Sequence, residues 1–100
     1  MTRQALVAWL RSRVPAPPAG LREHLEAAAR DSSEPLPEQL ARMGRELLER
    51  VAREPKGGRE LALDLLAADA LVTYAFEAQA EVDPVELGSL AEQVEEGSKP

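Results

Sequence analysis

Residues 60–79 read ELALDLLAADALVTYAFEAQ, and they constrain the fold more than any other part of the chain. At about 100° per residue, Leu61, Leu65, Val72 and Phe76 group on one side of a helix. Leu63 and Tyr74 lie nearly opposite, and Leu71 and Ala75 fill a third sector. A helix that is apolar on all sides needs neighbours on all sides. The segment is therefore expected to be the centre of an all-α bundle. Asp64 and Asp69 interrupt it, and neither is expected on a plain solvent face. Each then needs a partner, because an unpaired buried carboxylate is costly.

The rest of the chain supplies the cover, and the spacing and punctuation predict about five helices in all. The first spans residues 2–14, with Leu6, Val7, Leu10 and Val14 on one stripe and Trp9 at its edge; Pro15 ends it. VPAPPAG follows; it contains a formal P-x-x-P and is read as a stiff connector. The second helix starts near Pro18, carries Leu21, Leu25 and Ala28, and ends around Arg30. Pro37 opens the third, where Leu36, Leu40, Met43, Leu47 and Val51 share a face, with Gly44 and Leu48 beside it. Its outer face offers Glu38–Arg42, Arg42–Glu46, Arg45–Glu49 and Glu49–Arg53 as i,i+4 pairs. After the EPKGG break, the fourth and most buried helix covers residues 58–80. Asp83, Pro84 and Glu86 form a start signal of capping-box type. Leu87, Leu90, Ala91 and Val94 then make the fifth helix. One domain over residues 1–95 is expected, with residues 96–100 as a frayed tail.

Composition agrees. The chain has 17 Ala and 15 Leu but no Ile, so strong helix formers dominate and strand formers are scarce. Ten of its 12 basic residues are Arg, a bias that points to a GC-rich, bacterial genome. Without cysteine there is no disulfide, thiol catalysis, iron–sulfur cluster or zinc finger. A net charge of −6, with no basic stripe interleaved with aromatics, argues against a nucleic-acid partner. The longest apolar run, residues 61–76, is too short and too acidic to span a membrane. With no secretory signal in the first residues, a cytoplasmic location is expected.

LLAADALVTYAFE resembles the helix that follows the first aspartate-rich motif of trans-isoprenyl diphosphate synthases. Leu66, Ala67, Asp69, Ala70, Leu71, Ala75, Phe76 and Glu77 match over about one eighth of the chain. The D-D-x-x-D motifs that carry that family's chemistry are absent, and the chain is too short for its fold. The resemblance implies an Ala-rich helical core and no activity.

Signals for chemistry are few. His24, the only histidine, is not part of a Glu-x-x-His or H-E-x-x-H pattern and is read as an exposed or boundary residue. No G-x-S-x-G elbow is present. Asp69 has Thr73 at i+4 as a local partner, while Asp64 has only Glu60 at i−4. Arginines from elsewhere, such as Arg45 or Arg53, or the backbone of another helix start, are the expected partners. Lys56, Gly57, Gly58 and Arg59 enter the fourth helix and form a candidate anion site. The expected function is a non-enzymatic helical interaction module, a homo-oligomer or a small subunit of a complex. The alternative is a carrier for an apolar or amphipathic small molecule in the bundle core, with Asp64, Asp69 and Tyr74 as its polar contacts. No metal or cofactor is expected.

Overall fold

The structure is a computed structural model, which describes residues 1–54 and 57–98, the side chains of residues 60 and 96–98 excepted. Five α-helices form in chain order: α1 (Arg3–Arg11), α2 (Ala19–Ala28), α3 (Leu36–Arg53), α4 (Arg59–Val82) and α5 (Leu87–Ser98). No strand occurs among the described residues. The radius of gyration, 13.2 Å, is that of a compact chain of this length, about 13 Å.

α1 ends three residues before the expected boundary. Pro15 disfavours helix at Val14, and the last turn closes on itself: the Ser12 hydroxyl and amide both donate to the Trp9 carbonyl, and the Arg13 amide donates to that of Leu10. Val14 is therefore not on the core stripe but 92% exposed. At its start α1 is capped twice. Thr2 Oγ1 accepts from the Ala5 amide, and Asp31, from the loop after α2, accepts from the Arg3 amide at 2.6 Å. Arg11 then pairs with Glu26 of α2 at 2.8 Å.

α3 and α4 are joined by a short connector and pack antiparallel as the main pair of the fold. Leu40, Met43 and Leu47 of α3 and Ala67, Ala68, Leu71, Ala75 and Ala78 of α4 are buried between and around them. Gly44 marks a close approach. A Cβ there would sit 2.9 Å from Val72 Cγ2 and 3.2 Å from the Ala68 carbonyl. Of the four expected surface ion pairs on α3, only Arg42–Glu46 closes among the described residues, and Arg42 also holds Glu34 at 2.5 Å. Gln39 is fully buried, with its amide nitrogen donating to the Arg30 carbonyl at 3.0 Å.

Asp83 stops α4 and starts the next element. Its side chain accepts from the Val85 amide at 3.1 Å, and a 3₁₀ turn over Pro84–Glu86 leads into α5. The expected capping box does not close. The Asp83 amide that Glu86 would reach is already donated to the Gln79 carbonyl at 2.7 Å. α5 continues to Ser98, into residues expected as tail.

Candidate functional site

The two aspartates of α4 have opposite fates. Five residues at 3.6 per turn set them about 140° apart, so they cannot share a face. Asp64 points inward and is 4% exposed; Asp69 is exposed. The expectation that Asp69 avoids solvent is therefore corrected. It shares an outer face with Ala62, Leu65, Leu66 and Thr73, all exposed. Thr73 does bond to residue 69, but through the backbone: Thr73 Oγ1 donates to the Asp69 carbonyl at 3.0 Å. The helix is central, yet it is not covered on every side.

Asp64 sits where α2, α3 and α4 meet. Its Oδ1 is 2.5 Å from His24 Nε2 of α2, and its Oδ2 is 3.7 Å from Arg50 Nη1 of α3. A carboxylate only accepts, so Nε2 is the donor. The expected partners Arg45 and Arg53 are not used. In an antiparallel pair that crosses with Gly44 beside Ala68, the α3 residues level with Asp64 lie near position 48. Arg50 is within reach, whereas Arg45 lies about a turn away on one side and Arg53 on the other. His24 could not be paired from its own neighbourhood, because its partner is 40 residues distant.

A cleft of about 400 Å³ opens beside this cluster, lined by Arg50, Glu54, Gly57, Gly58, Arg59, Leu61 and Asp64. Three residues of the candidate anion site, Gly57, Gly58 and Arg59, are in its wall; Lys56 lies outside the described residues. Gly58 has φ 142°, a conformation that side chains resist, and a Cβ on either glycine would touch nothing within 4 Å. The glycines thus serve the turn rather than a close backbone approach. Its lining carries two charges of each sign, Arg50 and Arg59 with Glu54 and Asp64, which does not favour an anion.

The hollow beside His24 holds no nucleophile in its lining. It has a volume of about 200 Å³ and is lined by His24, Ala27, Ala28, Arg30, Leu47, Arg50 and Asp64, with no hydroxyl or thiol among them. A His–Asp pair supplies the base and its orienting acid in nucleophilic catalysis, but needs a third group. Among the described residues, no cluster of three His, Asp or Glu could hold a metal ion.

Tyr74 belongs to a separate cluster. Its ring meets Trp9 of α1 edge-on, with centroids 6.0 Å apart and planes at 81°. Arg13 stacks over Trp9 at 3.7 Å and reaches Glu77 and Glu81. Burial raises the Tyr74 pKa above its usual 10, Glu77 adds to this, and Arg13 opposes it. Ten residues separate Tyr74 from Asp64, about 15 Å along the helix. Asp64, Asp69 and Tyr74 therefore do not converge on one ligand.

Compared with known proteins, the chain matches no family model, no curated protein and no solved structure. Among the described residues no helix is long and apolar enough to cross a membrane.

Proposed function

We propose that this chain is a small non-enzymatic helical interaction module that docks through the outer face of α4. One observation carries the reading: Leu65 and Leu66, adjacent in the most apolar segment of the chain, are 49% and 53% exposed. Single exposed leucines are ordinary, whereas neighbouring ones on one helix face mark a contact surface. Covering the exposed half of each would contribute roughly 1 kcal/mol. The buried acid fits the same reading, because Asp64 ties α4 to α2 through His24 and to α3 through Arg50. The carrier alternative has less support. Its three polar contacts point apart, and the approach at Gly44 closes the crossing of α3 and α4 to a ligand.

Site-specific photo-crosslinking in cells tests the docking face. A photoreactive residue at Leu66 should give a discrete protein adduct, while the same group at Glu49, exposed on α3, should give none. Equal labelling from the two positions, or none from Leu66, would overturn the proposal.

A further inference from the structure

We infer that the occupant of this face is a second copy of the same chain, paired antiparallel about a two-fold axis beside residue 64. The inference rests on reading the outer face of α4 as the docking surface and names what covers it. Arg59, Ala62, Leu66, Asp69 and Thr73 are all exposed. Their spacings are three, four, three and four residues, the pattern by which one helix lays a seam along another. Two of them carry opposite charges, Arg59 and Asp69. Among the described residues neither side chain has an ion-pair partner; residue 69 bonds to Thr73 through its carbonyl alone.

A two-fold contact requires that if residue i faces j, then j faces i. With the axis midway between Arg59 and Asp69, Arg59 of each copy faces Asp69 of the other. Ala62 then faces Leu66, small against large, also twice, and Leu65 flanks the seam. A parallel arrangement would instead set Arg59 against Arg59 and Asp69 against Asp69, and like charges opposed across an interface select against it. The protein carries a net charge of −6, yet this seam carries one charge of each sign. Self-association is thus locally neutral where the chain as a whole repels its copy.

The seam from Arg59 to Asp69 is about 15 Å long at 1.5 Å per residue. It falls short of the ~800 Å² per partner of a standard interface, so the dimer is weak and transient. Its dissociation constant should be on the order of 100 µM.

Sedimentation equilibrium over a range spanning that value tests the geometry, using the whole chain and the exposed-site variants R59E and D69R. Wild type should shift with concentration from 10.9 kDa towards twice that mass. Each variant alone opposes like charges at both ends of the seam and should dimerise about tenfold more weakly. In an equal mixture the two variants restore both opposite-charge contacts, and association should return to within about threefold of wild type. Circular dichroism of each variant checks that the helices are intact. Wild type that stays monomeric, single variants that dimerise like wild type, or a mixture no stronger than its components would each overturn the inference. Monomeric wild type with a Leu66 adduct to a different protein removes the self-partner and leaves the docking face standing. Loss of the Leu66 adduct removes the docking face itself.

Discussion

Replacing His24 by alanine strands the Asp64 carboxylate inside the protein, and the damage should exceed that of removing Asp64. The asymmetry follows from exposure. Asp64 is 4% exposed, while the side chains of His24 and Arg50 keep 21% and 63% of theirs. Removing one partner of a buried pair costs about 3–5 kcal/mol when the other charge is left uncompensated. Arg50, 3.7 Å away and flexible, can move closer and bring His24→Ala to the low end, about 3 kcal/mol. Asp64→Ala leaves a histidine and an arginine that both reach water. Its cost is the lost hydrogen bond to a charged group, about 2 kcal/mol. Urea unfolding at neutral pH of wild type, both single mutants and the double mutant measures all three quantities. The coupling between the two sites should be about 1.5–3 kcal/mol. In thermal melts each kcal/mol corresponds to about 4–8 °C for a domain of this size. The reasoning fails if Asp64→Ala is the more damaging change, or if the coupling is below about 0.5 kcal/mol.

Asp69→Ala should leave unfolding free energy within about 0.5 kcal/mol of wild type, because the side chain faces water; a loss comparable to that of Asp64→Ala would place it in the core instead. Gly44→Ala improves helix propensity by about 1 kcal/mol, yet its methyl group would meet Val72 at 2.9 Å and the Ala68 backbone at 3.2 Å. Overpacking at that crossing should win and destabilise by about 1–3 kcal/mol in denaturant titration, and a stabilised variant would show the helices free to separate. Tyr74, the only tyrosine, should ionise above pH 10 when followed by phenolate absorbance, since burial favours its neutral form. The sign follows from linkage: this raised pKa contributes stability that is complete below the unfolded value and is lost as pH rises through the folded one. Ionisation at or below the free-tyrosine value would contradict its packing against Trp9.

The helices were legible in the chain because they depend on neighbours in sequence. Pro15, Pro37 and the Asp83-Pro84 pair mark boundaries through backbone sterics and local capping. The 3.6-residue spacing of Leu40, Met43 and Leu47 marks a buried face without reference to anything else. For α4 the same logic determined less. Spacing fixes the angle between Asp64 and Asp69, but a helix apolar on every side has no preferred direction, so the sequence could not say which of the two turns inward. Tertiary structure decided it. The missing side chain of Gly44 lets α3 press against the Ala68–Val72 side of α4, and that contact sets the rotation of the helix. Rotation then carries Asp64 to His24 and Arg50, supplied by α2 and α3 from distant points in the chain, and leaves Leu65, Leu66 and Asp69 facing out. Angles within a helix are local properties of the backbone, whereas the direction a helix faces is fixed by what packs against it.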